Sequence, residues 1–432
     1  MRFGSHPLAR VAAGLALLAA VDSSTANAQQ SISLPQALAL ARAANARLPV
    51  ASLDVSAAAE RVREAEAQRW LRLSVRSDVV YTLPGLHYGV SPVDEERLQV
   101  AAAQPVYEGG ALTARIEGAR AQLAGAGARY RVAERDIEYD VRVQYSTCLQ
   151  LDTLLATERD ALGRLRDYLT WLEVRRAAGQ GVEADLLRTR LQVDSSQADL
   201  ASTEQQLASS IFALNDLMGR APREPLALAS PAEPNTPALP PEAPWRASPD
   251  IRAARADVDA ARADVEATRA ERRPRLDVSA DAGLWGNGLQ PNPPGLDIAE
   301  RLRNDVGASV TATLAWDFWD AGVHQARLDE ARIALDRARA TVLLASRQAR
   351  LEWETAVETE QRLQGIVAVR RRALPVARDA YALTEAQYRG GIGTALDVLT
   401  AYRAWIDAAD ALAAAVLDYR KAEALAIRWS TP

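Results

Sequence analysis

The chain has 432 residues, a formal net charge of −5 and only 3 Phe, 2 Met and 3 His, with Ala, Arg, Leu, Asp and Glu dominant. That palette suits long helices rather than thick globular cores, and arginines interleaved with acids give no reason to expect a nucleic-acid partner. The single cysteine, Cys148, excludes an intrachain disulfide framework.

Residues 1–28 read as a secretory signal. Arg2 and Arg10 supply the positive start, Val11 to Val21 an apolar run too short to span a bilayer, and Ala26-Asn27-Ala28 a cleavage site. The mature chain is expected to begin at Gln29. No cysteine follows that site, so a lipoprotein-type anchor has no support. Beyond the signal no run of about 18 or more apolar residues occurs. If the chain crosses a membrane, it must do so as a β-barrel.

Two stretches repeat at a fixed distance. Tyr107-Glu108-Gly109-Gly110 aligns with Trp319-Asp320-Ala321-Gly322 at 319 − 107 = 212, and Gly179 to Leu187 aligns with Gly391 to Leu399 at 397 − 185 = 212. A duplicated unit is indicated, divided as residues 29–220, a Pro-rich connector 221–249 and a second repeat 250–432. Each repeat reads as a helix, two strands around a loop, a very long helix, a turn and a returning helix. The opening helix covers roughly Leu34 to Trp70, with an interruption near Pro49. Its counterpart opens at Pro249.

The strands alternate with period two. Leu73, Val75, Val79, Tyr81 and Leu83 oppose Arg76, Asp78 and Thr82, and Leu98, Val100, Ala102 and Val106 oppose Arg97 and Gln99. In the second repeat Leu276 to Leu284 alternates with Asp277, Ser279 and Asp281, and Val306 to Leu314 with Ser309, Thr311 and Thr313. Strands of about 10 residues with one apolar face fit an outer-membrane barrel, and Trp70, Trp285, Trp316 and Trp319 fit its aromatic girdle. A half-buried sheet in a soluble sandwich fits the alternation equally.

From Ala111 to Ala178 a coiled-coil seam runs through Ile116, Ala119, Leu123, Ala126, Tyr130, Ala133 and Ile137, and adding 212 gives Leu328, Ala331, Leu335, Ala338, Val342, Ala345 and Ala349. Such a helix extends roughly 100 Å. Taken alone, the helices equally describe a stalk. Four strands cannot close a barrel, since the smallest filled barrels have about eight. Two copies would give eight strands with a filled interior, and three would give twelve with a lumen lined by Arg76, Asp78, Thr82, Asp277, Ser279, Thr311 and Thr313.

Gln104-Pro105-Val106-Tyr107-Glu108-Gly109-Gly110, Trp316-Asp317-Phe318-Trp319-Asp320-Ala321-Gly322 and Tyr388-Arg389-Gly390-Gly391-Ile392-Gly393-Thr394-Ala395-Leu396-Asp397-Val398-Leu399 carry a specific resemblance. Over essentially the whole mature sequence the chain resembles the TolC-like outer-membrane efflux protein family. The resemblance implies an α+β membrane protein. A homotrimer would form a 12-strand barrel in outer-membrane lipid and continue as a periplasmic α-helical tunnel. It further implies a passive export conduit that docks to a periplasmic adaptor and an inner-membrane transporter, with no cofactor. A structural or adhesive periplasmic coiled-coil protein is the alternative.

By the same resemblance the helix-hairpin tips, Ala178 to Asp185 and Gly390 to Asp397, form the periplasmic entrance. Gly179, Gly181, Gly391 and Gly393 permit positive φ at the reversals and would let an adaptor hairpin approach closely, with Val182, Ile392 and Leu396 as apolar contacts. Asp185 and Asp397 suit helix capping, or a carboxylate ring in the lumen. The ring is weakened by Thr400, where some family members carry a second aspartate. Arg389, beside Tyr388, would either meet an acid on a neighbouring hairpin and hold the entrance shut or remain solvated. Pro375 should bend its helix near the tip, and in this repeat alone, because its counterpart in the other is Gly163. No catalytic constellation, phosphate-binding loop or metal-ligand set is found: His6 lies in the signal, His87 in a loop and His324 at a helix start.

Overall fold

A computed structural model describes residues 31–81, 94–229, 243–286 and 306–430. Helices α1 (Leu34–Ala44) and α2 (Arg47–Ala67) precede strands β1 (Arg72–Tyr81) and β2 (Asp94–Tyr107). Helix α3 (Ala111–Ala177) and the returning α4 (Glu183–Leu217) complete the first run of elements. After a short 3-10 turn at Pro244–Ala247 come α5 (Pro249–Ala270), β3 (Arg275–Gly286), β4 (Val306–Ala315), α6 (Val323–Arg389) and α7 (Ala395–Ser430). The long helices α3 and α6 each hold 67 residues, about 100 Å at 1.5 Å per residue. The inter-strand loops, with His87 and Thr82, lie outside the described residues.

The opening helix breaks at Asn45, not at Pro49. Pro49 sits in the first turn of α2, where its missing N–H costs nothing. Asn45 makes the break: its Oδ1 accepts from Arg47 N at 2.9 Å, and its Nδ2 donates to the Leu217 carbonyl at 2.9 Å, fixing the joint against the end of α4. Helix α6 continues through Pro375, whose ring removes one ladder bond without ending the helix.

The four strands form one antiparallel sheet in the order β1-β2-β3-β4. Leu73 faces Ala102, which faces Ala280, which faces Val310, so one side of the sheet is an apolar rung system. This apolar side is bare, with Leu73 69%, Val75 71% and Val310 79% exposed. A soluble sandwich would cover it. A bulge where β2 passes Pro105 to Tyr107 absorbs the proline's missing donor. Among the described residues neither β1 nor β4 has a partner on its outer side.

The helices pack as four staves, in one layer beside the sheet. Near the sheet the order is α2, α3, α5, α6; farther away it is α4, α3, α7, α6, so two short helices stacked end to end match each long one. Beside the sheet α3 and α5 meet through small residues. A Cβ placed on Gly118 would lie 3.4 Å from Ala263 Cβ, and one on Gly125 would lie 3.4 Å from Ala256 Cβ. Of the expected seam, Ile116, Ala126, Ile137, Leu328, Leu335 and Ala349 are buried. Larger apolar side chains fill the far half, where Leu162, Leu165, Tyr168 and Leu172 of α3 pack with Leu186 and Val193 of α4, Tyr381 of α6, and Val398, Tyr402 and Trp405 of α7.

Midway along the staves a buried cation joins three helices. Arg135 of α3 pairs with Asp250 at the start of α5 and lies 4.8 Å over the Trp429 ring of α7, while Asp136 accepts from both Arg135 and Arg428. Nearby, Tyr145 reaches the carbonyls of Ile32 and Ala229, holding the bridge between the first described residues and the start of the connector. Cys148 is buried in the same region, and burial pushes its thiol up to about 12. Asp250→Ala leaves Arg135 buried with half its anionic partners, so a loss of about 2 kcal/mol or more is expected as a lowered thermal unfolding midpoint.

Candidate functional site

Two helical reversals end the staves. At the first, Gln180 N donates to Arg175 O at 3.0 Å; at the second, Ile392 N donates to Gln387 O at 2.8 Å, and 392 − 180 = 387 − 175 = 212. Both are Schellman-type closures that satisfy carbonyls left free at a helix C-terminus. Gly179 (φ 73°), Gly391 (φ 84°) and Gly393 (φ 95°) occupy the left-handed region, as expected. Gly181 does not. It is required for space instead, because a Cβ there would stand 2.8 Å from Arg176 Cα.

The two aspartates one turn into the returning helices have diverged in role. Thr394 caps α7, and Asp397 completes a capping box: its Oδ2 accepts from Thr394 N and Thr394 Oγ1, both at 2.8 Å. Those two bonds hold the Asp397 carboxyl below the usual carboxylate range. In the first tip the capping position is Val182, which has no side-chain oxygen. Asp185 is therefore released from capping and accepts the Tyr388 hydroxyl across the two hairpins at 2.8 Å.

That bond sits in an aromatic and cationic cluster which the repeat comparison does not reveal. Tyr168 and Trp171 of α3 stack with centroids 6.1 Å apart, and Tyr388 of α6 meets both edge-on at 5.9 Å. Arg175 and Arg389 lie over the Trp171 ring at 5.1 and 5.3 Å. Arg389 pairs with Glu385 on its own helix, so within the chain it crosses to the other hairpin through a ring rather than an acid. Burial, and then Asp185, pushes the Tyr388 phenol up to about 12, so it keeps its proton and remains a donor. The sequence signal for the cluster lies in mismatch. Tyr168 and Trp171 fall opposite Ala380 and Leu383 at the 212 offset.

Around the tips Val182, Ile392 and Leu396 are all more than half exposed. At the other end of the molecule Arg76, Asp78, Asp277, Ser279, Thr311 and Thr313 share the sheet face opposite the apolar one; the rung Arg72, Ala103, Ser279, Thr311 fixes that side. Trp70, Trp316 and Trp319 stand exposed where the sheet meets the helices, with Trp316 Nε1 donating to the Arg272 carbonyl. Each long helix starts from a paired left-handed step, Gly109 and Gly110 for α3, Ala321 and Gly322 for α6. Asp320 caps the second, its carboxylate accepting from Gly322 N and His324 N, and these bonds hold it below the usual carboxylate range. Among the described residues no three His, Cys, Asp or Glu side chains converge as a metal site, and no helix is long and apolar enough to cross a membrane.

A bare-faced antiparallel sheet on helices about 100 Å long defines a protomer of the channel-tunnel class. The family model described as outer membrane efflux protein matches residues 37–220 and 246–425, and the chain belongs to that family. It is an outer-membrane export conduit whose helical body extends into the periplasm, and its family is one of transport conduits. The fold agrees with solved structures. The outer-membrane channel OprN matches at 23% identity and a TM-score of 0.79, over 92% of this chain and 89% of its own. CusC matches at 19% and 0.81, over 92% of each chain. VceC of Vibrio cholerae matches at 22% and 0.76, over 92% and 96%. A comparison with curated protein sequences gives no match.

The capping geometry carries a pH signature. Because the Asp397 carboxyl is held low in the folded protein, its support of the first turn of α7 is complete above the ordinary carboxylate range, weakens progressively as pH falls from that range toward the depressed value, and is gone below it. Amide exchange in that turn should follow this course, and Asp397→Ala should fray the turn at every pH.

Proposed function

We propose that three copies of this chain close around one axis into a twelve-strand barrel and a tunnel of twelve staves, forming the outer-membrane segment of an export pathway completed by a periplasmic adaptor and an inner-membrane pump. The observation that carries this reading is that sheet and helix layer end in open edges on matching sides. Beside the sheet one edge joins β1 to α2, and the other joins β4 to α6. Unpaired strand edges in lipid cost several kcal/mol per group, so the sheet needs neighbours on both sides. Apolar residues stand exposed on both helical edges: Leu53 and Leu191 on one, Leu344, Leu351, Val369, Val376 and Leu383 on the other. The seven-residue spacing of Val369, Val376 and Leu383 is that of a coiled-coil seam awaiting its partner. Two unlike edges that fit each other make a head-to-tail ring.

In this assembly the face bearing Arg76, Asp78, Asp277, Ser279, Thr311 and Thr313 lines the barrel lumen, and the exposed tryptophans mark the periplasmic boundary of the bilayer. The tips form the entrance. Tyr388 bonded to Asp185, and Arg389 over Trp171, hold one hairpin against the other in a closed arrangement. Val182, Ile392 and Leu396, on backbones kept slim by Gly181 and Gly393, supply the surface for an adaptor hairpin. Asp397, exposed and ionised, is the carboxylate available for a ring at the mouth, whereas Asp185 is committed to Tyr388.

Heat-modifiable trimers in the outer-membrane fraction, with ion conductance in a planar bilayer, are the expected outcome; a monomeric periplasmic protein without conductance would sink the reading. Tyr388→Phe removes the only hydroxyl in the cross-hairpin bond and should increase the conducting fraction in bilayers while leaving trimers intact. Bulky residues at Gly181 and Gly393 should abolish export without dissociating the trimer, and export unchanged by them would refute the docking role.

A further inference from the structure

Glu158 of α3 lies beneath the line along which α4 and α7 approach each other, with 8% of its surface exposed. Its Oε1 accepts from Thr203 Oγ1 of α4 at 3.1 Å, while its Oε2 is buried without a partner. A carboxylate oxygen left buried and unbonded is costly when charged, and much less so when the group carries a proton.

The surrounding charges make ionisation harder. Asp199 of α4 and Asp410 of α7 act on Glu158, Asp407 acts on Asp410, and the Tyr402 phenol of α7 completes the titratable groups facing the seam. The arginines beside the seam are engaged elsewhere, Arg159 with Glu204 and Arg403 with Gln192. Burial first, then Asp410 and Asp199, raises the Glu158 carboxyl above the ordinary carboxylate range, against the pull of the Thr203 bond. Asp410 is raised too, by burial and then by Asp407 and Asp199.

This seam also holds polar contacts between the two returning helices, Tyr402 to Ser196 at 3.0 Å and Arg403 to Gln192 at 2.8 Å. On the sheet side of Glu158 a groove separates them, floored by Leu151 and Leu154 and reached by Gln206 and Asp410. A charge formed at Glu158 can regain water only by widening that gap.

We propose that Glu158 is a proton-binding site that sets how tightly the two hairpins are joined: protonated, it lets α4 and α7 pack over α3; ionised, it drives them apart. The consequence for passage rests on the conduit reading, whereas the proton site itself does not. In the loosened state water returns the carboxyl to its ordinary range, so the two states bind protons with different affinity. Below the ordinary range both are protonated and pH has no effect. As pH rises from there toward the raised value, the loosened state is progressively favoured, and above it the effect is complete.

Hydrogen exchange of the full-length protein in detergent tests this directly. Amides of α4 and α7 around Ser196 and Tyr402 are followed from about pH 5 to about pH 8, after correction for intrinsic exchange, and protection should fall by about tenfold with rising pH. Glu158→Gln should be protected throughout and insensitive to pH. Thr203→Val, which removes the bond favouring the charged form, should move the midpoint to higher pH. A flat wild-type profile, or an unchanged pH response in Glu158→Gln, overturns the proposal; should that variant fail to fold, a midpoint in Thr203→Val that is unmoved or lower overturns it. In planar bilayers the conducting fraction should follow the same midpoint. Conductance that ignores pH while exchange responds would overturn the coupling to passage and leave the proton site established.

Discussion

A strand edge has no acceptable solvent in hydrocarbon. In a bilayer each outward N–H and C=O of β1 and β4 would need a partner, and the described residues supply none, because their sheet has four strands. The remaining architecture answers to that deficit. Beside the sheet the helices are laid out as one layer ending on the same two sides, and toward the tips α4 closes against α7 and reaches α6. A self-contained globule would have rolled the exposed leucines and valines of α6 inward; here they stay at a border. In the trimer proposed above the chain is a sector, and its stability would be inseparable from closure of the whole ring.

Within the sector, duplication provides dimensions and divergence provides chemistry. Both long helices have 67 residues and both tips close with the same backbone bonds, so the two hairpins reach the same depth. Against that equal frame, single replacements have large effects. Thr394 keeps Asp397 at home in a capping box, and Val182 at the matching position frees Asp185 to cross to Tyr388. Trp171 and Tyr168 face Tyr388 and Arg389 from the other hairpin, so the two tips fit each other because they are unlike.

Much of this frame can be read from the residues. Period-two alternation places Arg76 and Thr311 on one side of the sheet, and a run of threes and fours places Ile116 and Leu328 in a seam, because both depend on local geometry alone. Asn45 escapes such reading, since its force as a helix break comes from Leu217, far away in sequence. Gly181 looks like another turn glycine until Arg176 is seen beneath it. The tip cluster is hidden for a different reason: an aligned repeat directs attention to what matches, and Trp171 matches nothing. Glu158 likewise resembles any surface acid of a long helix; only the packing of α4 and α7 over it buries one oxygen.

The small residues between α3 and α5 set a gauge for the whole assembly. Helix axes separated by glycine and alanine approach to about 8 Å, whereas larger side chains hold them nearer 10 Å. In a closed palisade the girth is the sum of such spacings. In the proposed ring, Gly118 and Gly125 against Ala263 and Ala256 would therefore narrow the bore beneath the sheet. The far half, spaced by Tyr168, Tyr402 and Trp405, starts from a wider pitch and can taper only by tilting its staves. In such a ring, calibre near the membrane would be written in alanine and glycine, and calibre at the mouth left to movement.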